Sequence, residues 1–153
     1  MESFTIDAAT DAERDWCAQL MAGTDPWITL GRSLEQCRAF CQNREYLLYV
    51  AHAEGRPCGF ILMHRRGLAS SPYIATIAVA EGFRSRGLGS RLLEFAEGLF
   101  RNEARHIFLC VSSFNARARA LYERRGYTVV GELKDYIKLG ASEIIMHKRL
   151  RQP

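Results

Sequence analysis

The sequence predicts a mixed α/β chain: one twisted sheet of six or seven strands with about four helices packed around it. Three observations carry that expectation. Apolar runs of strand length alternate with amphipathic stretches of helical period along the whole chain. Two of the helices announce their first turns with capping boxes. No repeat, low-complexity segment or linker divides the 153 residues, so they read as one domain spanning 1–153. A chain of this length buries roughly 68–70% of its unfolded surface, enough for a continuous core.

Residues 4–8 read as a short opening strand. Thr10 and Glu13 form the first capping box, in which each side chain satisfies an amide that the first turn leaves unpaired. A helix follows to about Met21, with Trp16 and Leu20 on one face. Ser33 and Gln36 form the second box and open a helix to about Asn43. Loop 23–31 lies between them, with Trp27 at its centre. Residues 46–51 are continuously apolar, as in a strand covered on both faces. A turn at 54–57 leads into an antiparallel partner at 59–63, and a further strand ends at Val79.

Residues 88–100 form an amphipathic helix with Leu88, Leu92, Phe95, Ala96 and Leu99 on one stripe. Residues 107–111 are another buried strand. Asn115 caps a short helix whose Ala118, Leu121 and Tyr122 share a face, and Gly126 ends it. Residues 127–130 and 143–150 are the last strands. The strands before residue 80 should be antiparallel. Those flanking the helix at 88–103 should run parallel, because a helical crossover returns the chain in the same direction.

A net charge of +4, with 48% apolar and 25% charged residues, describes an ordinary globular chain and suits a phosphate-bearing ligand. No apolar run approaches the roughly 20 residues that a membrane span needs. Residues 1–7 have neither the basic region nor the apolar core of a secretory signal, so a cytoplasmic location and no membrane partner are expected. Cysteines stand at 17, 37, 41, 58 and 110, mostly in apolar runs, which predicts buried reduced thiols. Cys37 and Cys41 alone do not supply a ligand set, so no metal is expected. No nucleic-acid partner is expected either, because the aromatics sit in core runs rather than between arginines on an open surface.

The most informative stretch is Arg84-Ser85-Arg86-Gly87-Leu88-Gly89-Ser90, between a strand and a helix. A glycine-bearing loop that opens a helix points unpaired amides at one spot, and the positive end of the helix dipole adds to them. Arg84, Arg86 and Arg91 add charge. The stretch therefore suggests a pyrophosphate cradle, although two glycines can also simply start a helix after a turn. It lacks the Gly-Lys-Ser/Thr of a nucleoside-triphosphate loop. It also lacks the third glycine of a dinucleotide fingerprint, where Leu92 stands instead.

With the later string Asn115-x-x-Ala118-x-x-Leu121-Tyr122-x-x-x-Gly126-Tyr127, the order strand, Arg84-x-x-Gly87-x-Gly89, helix, strand resembles the GNAT superfamily of acetyl-CoA-dependent N-acetyltransferases. It is similar in particular to the group that acetylates the N-termini of ribosomal proteins. The resemblance covers residues 74–130. It implies a single-domain GNAT-like fold and acetyl-CoA as cosubstrate. Residues 84–90 would wrap the pyrophosphate, and Ile77, Ala78 and Val79 would offer backbone groups to the pantetheine arm. It further implies that Asn115 and Ala118 hold the arm's end, and that Tyr122 protonates the departing thiolate, a role that a phenol of pKa ~10 can fill.

An acceptor amine would be bound between the first two helices and the last two strands. Trp27 and Tyr136 would wall an aromatic slot there, and Asp25 or Asp135 would attract the cation. Asp25-Pro26 reads equally as turn chemistry. The acceptor stays open among a peptide N-terminus, a polyamine and an amino-sugar, and a homodimer stays open too. The general base is unassigned. Relatives carry a glutamate where Cys110 stands, and Tyr73, Glu81, His64 and His106 offer no clear replacement. That substitution also supports an alternative, a non-catalytic acetyl-CoA-binding sensor or regulatory module.

Overall fold

The computed structural model describes residues 3–152. Among the described residues, seven strands form one sheet: β1 (Thr5–Ala8), β2 (Leu47–Ala53), β3 (Arg56–Leu68), β4 (Ser71–Val79), β5 (His106–Ser112), β6 (Thr128–Lys134) and β7 (Ser142–Arg149). Their spatial order is β1-β2-β3-β4-β5-β7-β6. Only β4 and β5 run parallel; every other neighbouring pair is antiparallel. The helices are α1 (Asp11–Ala22), α2 (Leu34–Gln42), α3 (Leu88–Phe100) and α4 (Ala116–Arg124). Both capping boxes form, Thr10 with Glu13 and Ser33 with Gln36.

The sheet is covered on both faces, which is why residues 47–51 of β2 and 59–63 of β3 are continuously apolar rather than alternating. Phe60 and Leu62 join Cys17, Met21, Cys37 and Cys41 in the layer beneath α1 and α2. Ile61 and Met63 join Leu88, Leu92, Leu93, Ala96 and Phe100 in the layer beneath α3. Four of the five cysteines are buried, as their apolar surroundings predict; Cys110 is only partly covered. Arg14 is buried as well, donating to the Cys41 carbonyl at 2.6 Å and so capping the C-terminus of α2.

β3, β6 and the buried face of α3 differ from the sequence reading, with β6 running past Val130 to Lys134. β3 continues past Met63 to Leu68, because it and β4 form a long hairpin closed by Ala69 and Ser70. Its outer half is solvated, so apolarity gives no sign of it. The buried face of α3 is also wider than the anticipated stripe. Leu93, Glu97 and Phe100 are fully buried, whereas Phe95 and Leu99 are partly covered.

Glu97 is 1% exposed and carries a four-membered network. Its carboxylate accepts from Lys148 Nζ at 2.8 Å, Tyr127 Oη at 3.1 Å and Arg125 at 3.4 Å. The network ties α3 to β7 and to the segment after α4. A second carboxylate, Glu13, closes the α1 cap and lies 2.5 Å from His52 Nε2 on β2.

Burial alone would raise the pKa of Glu13, but the bonds from Thr10 and His52 outweigh it and hold the carboxyl below its ordinary value of 4.5. A depressed folded pKa means stabilisation that is complete above the unfolded pKa and lost as pH falls through the folded one. Glu13→Gln should therefore melt below wild type at neutral pH, and the gap should narrow as the pH drops under about 4.5. Melting curves across pH check this; a gap constant down to pH 3 would contradict it.

Candidate active site

β4 and β5 are joined at only two residue pairs, Tyr73 with Phe108 and Ile74 with Leu109. Beyond Ile74, β4 stays paired with β3 as far as Val79 opposite Gly59, so its other edge faces a gap. Main-chain groups along that edge, including those of Ile77, face the gap, although the Val79 carbonyl already accepts from Arg84 Nε. A cavity of about 310 Å³ occupies the divergence. Its inner wall is Ile74, Thr76, Ile77, Leu109, Val111, Asn115, Ala118 and Tyr122. Its outer end is Asp25, Trp27, Arg32, Phe40, Tyr46, Ile137 and Glu143.

The glycine loop follows β4 directly, beyond the Val79 end of that edge. A 3-10 turn at Glu81–Phe83 leads to Ser85 at φ 64° and Gly87 at φ 80°, which caps α3. The first helical bond is from the Arg91 amide to the Gly87 carbonyl, so the amides of Leu88, Gly89 and Ser90 point out of the first turn. The Leu88 side chain itself is buried. Arg84 Nε donates to the Val79 carbonyl, and the Arg86 guanidinium lies over the Phe83 ring. Arg117 of α4 donates to Ser85 Oγ at 2.5 Å, which brings a further cation beside the loop. Gly89 permits close packing here, since a Cβ would lie 2.9 Å from Leu121 Cδ2.

At the inner wall, Asn115 Oδ1 accepts from the Ala118 amide at 3.3 Å, so Asn115 caps α4 while lining the cavity. Tyr122 is half-buried, and desolvation pushes its hydroxyl up to about 12, so the phenol keeps its proton at neutral pH. Tyr73 and Cys110, facing each other across the last pairs of β4 and β5, are both pushed upward by burial, and they share a hydrogen bond.

The outer end is roofed by two loops. Lys138 Nζ donates to the Thr29 carbonyl at 3.1 Å, linking the β6–β7 connection to the α1–α2 loop. Asp25 lines the cavity, but its Oδ1 already accepts from the Thr29 amide and hydroxyl, at 3.0 and 2.6 Å. Trp27 lines it with Phe40, Tyr46 and Tyr73. The anticipated slot between Trp27 and Tyr136 does not form. Tyr136 is 67% exposed and turned outward, and Ile137 takes the place in the wall.

The cavity thus gathers Ile77, Asn115, Ala118 and Tyr122 with Asp25 and Trp27. Ala78, Val79 and residues 84–90 are not among the residues that line it; they lie at the end of β4 and in the loop that follows. Sequence reasoning passed over Arg32, Ser112 and Glu143. The available signal for the last was a lone carboxylate at the head of the apolar run Ile144, Ile145, Met146.

Known proteins share this fold. The family model described as "Acetyltransferase (GNAT) family" matches residues 11–127. N-alpha-acetyltransferase RimI of Mycobacterium tuberculosis is 30% identical, over 97% of this chain and 93% of that one. The ribosomal-protein-S18-alanine N-acetyltransferase of Escherichia coli superposes with a TM-score of 0.80 at 19% identity, covering 99% of this chain and 96% of the other. An aminoglycoside 6'-N-acetyltransferase complexed with coenzyme A superposes with a TM-score of 0.77 at 17% identity, over 97% and 98%. At those identities the two structures speak for the fold. The family match and the full-length relative carry the rest: this chain belongs to the GNAT family of acetyltransferases, which move an acetyl group from acetyl-CoA to an amine.

Proposed function

We propose that this chain acetylates the α-amino group of a peptide, with the thioester in the β4–β5 gap and the amine arriving from the aromatic end of the cavity. The observation that carries the reading is the composition of that end. Trp27, Phe40, Tyr46 and Tyr73 can hold a single ammonium, while Arg32 stands among them and the chain carries +4. A second positive charge set against Arg32 would meet repulsion there, whereas the lining carboxylates Asp25 and Glu143 attract the first. The RimI-like relative supports the same acceptor class.

In this reading the amides of residues 84–90, with Arg84, Arg86 and Arg117 nearby, grip the pyrophosphate. The open edge of β4 at 77–79 pairs with the pantetheine arm, and Asn115 and Ala118 hold its end. The amine attacks the thioester directly, without an acyl-enzyme. A β4 amide faces the oxygen on which charge develops, and Tyr122 protonates the leaving thiolate. The cytoplasm is the proposed location, in keeping with five cysteines that form no disulfide. Val129 and Val130, exposed on edge strand β6, are the surface through which a homodimer would form.

An acceptor panel tests the proposal. Peptides with a free N-terminus should exceed N-blocked, lysine-containing peptides, spermidine and an aminoglycoside by at least tenfold in kcat/KM. Tyr122→Phe should lower kcat about 100-fold, within the range for a general acid, with acetyl-CoA affinity unchanged. Transfer to the polycations alone would sink the peptide reading. Tight acetyl-CoA binding with no transfer to any amine would point instead to a sensor.

A further inference from the structure

An amine that arrives as an ammonium must lose a proton before its lone pair can attack, since an α-amino group has a pKa of about 7.7–8.0 and a lysine about 10.4. The cavity wall offers six titratable groups besides Arg32. Asp25 is committed to Thr29. Tyr73 and Cys110 are held in their protonated forms by burial, and Tyr122 is pushed up to about 12. Tyr46 lies among the aromatic rings of the cavity, edge-on to Phe40 and His64. Glu143 remains.

Its surroundings are unusual for a carboxylate. Glu143 is 9% exposed, on β7 opposite Ser112 of β5, and lines the cavity on the same side as Cys110. Its Oε2 accepts from Ser112 Oγ at 2.7 Å, and Ser112 is itself 3% exposed. The backbone beside it is pinned twice: the Ser113 amide donates to the Ser142 carbonyl at 2.8 Å, and the Ser142 amide to Ser113 Oγ at 2.9 Å. Among the described residues, no lysine, arginine or histidine lies within salt-bridge distance of Glu143. Burying a carboxylate without a cation is costly, and the usual remedies are pairing or neutralisation. Here the Glu143 carboxyl group lines the very space in which a cationic acceptor would sit.

We propose that Glu143 is the residue that receives the acceptor ammonium and takes its proton, and that Ser112 is the positioning residue that aims its carboxylate. This rests on the reading above, that the cavity is where amine meets thioester. The steps balance as follows. Glu143 removes one proton from R–NH3+, directly or through one water, and later releases it to solvent. The nitrogen lone pair then forms the N–C bond at the thioester carbonyl. The C–S bond breaks with its electron pair on sulfur, which takes the proton of the Tyr122 hydroxyl, and the surplus proton on the new amide nitrogen restores the phenol through water. A carboxylate on β7 thereby fills a need that Cys110 on β5 cannot meet.

The test compares wild type with Glu143→Gln and Ser112→Ala, using a free-N-terminal peptide and acetyl-CoA. Glutamine keeps an oxygen for Ser112 but cannot take the proton. Its kcat should fall 100-fold or more at pH 7, within the range for general-base catalysis, with acetyl-CoA affinity by calorimetry unchanged. The deficit should shrink as pH rises and the amine deprotonates unaided, a recovery that a purely structural role would not give. Ser112→Ala should lower kcat about tenfold with little change in melting, and it decides the matter if the glutamine variant fails to fold. A Glu143→Gln kcat within threefold of wild type, or a deficit independent of pH, overturns the assignment while leaving the acetyltransferase reading intact. Wild type inactive on every amine would overturn both.

Discussion

Gly87→Val is expected to weaken acetyl-CoA binding by two to four orders of magnitude in a protein that still folds. Gly87 caps α3 at φ 80°, a left-handed conformation that costs a side-chain-bearing residue roughly 1–2 kcal/mol and a β-branched one more. No atom lies within 4 Å of a Cβ built there, so the effect is conformational rather than a clash. Valine relieves the strain by leaving the left-handed region, which swings residues 84–87 away and re-aims the amides at the start of the helix. Losing two charge-assisted bonds at about 1.5–3 kcal/mol each gives roughly 3–6 kcal/mol, or a factor of about 100 to 10,000 in affinity. Calorimetry against acetyl-CoA reads this directly. An affinity within fivefold of wild type would mean that this loop is not the pyrophosphate cradle.

The second large effect belongs to stability. Replacing Glu97 by methionine should destabilise the fold by about 3–5 kcal/mol, because it strands charges that are already partly desolvated. The side chains of Lys148 and Arg125 are 23% and 30% exposed, so water recovers some of that cost and the lower end of the range is expected. Tyr127, 2% exposed, has no such recourse and loses the acceptor for its hydroxyl. For a chain of this size each kcal/mol moves the melting temperature by about 2–4 °C, so a fall of roughly 6–20 °C should appear in thermal unfolding. The double variant Glu97→Met/Lys148→Met should recover part of it, since the isolated cation is then gone as well. A Glu97→Met melting point within 2 °C of wild type would show that the network contributes nothing net.

What the chain discloses in one dimension follows how local each determinant is. Both capping boxes and the Asn115 cap are written within four residues, and all form as anticipated. The continuous apolarity of residues 46–51 correctly signals a strand covered on both faces. Long-range choices are hidden. Nothing near residues 142–149 announces that β7 will insert between β5 and β6 instead of lying outside β6. Glu97 looks like an exposed helical glutamate until Lys148 and Tyr127 arrive from far along the chain. Glu143 escapes notice for the same reason, since its isolation depends on which cations fail to reach it. Tyr136 and Ile137 show the finest limit: one residue of rotation in a loop decides which side chain faces inward, and the sequence offers no preference.

The short ladder between β4 and β5 has a mechanical consequence. Most sheets are continuous plates, but this one is hinged along a seam that only two residue pairs stitch together. An extended thioester arm lying along the free edge of β4 would act as a removable extra strand, a key that locks the two leaves at a fixed angle. Loading the donor would then also stiffen the floor on which the acceptor rests, so that order of arrival is built into the architecture: donor before acceptor, with product release beginning when the key is withdrawn.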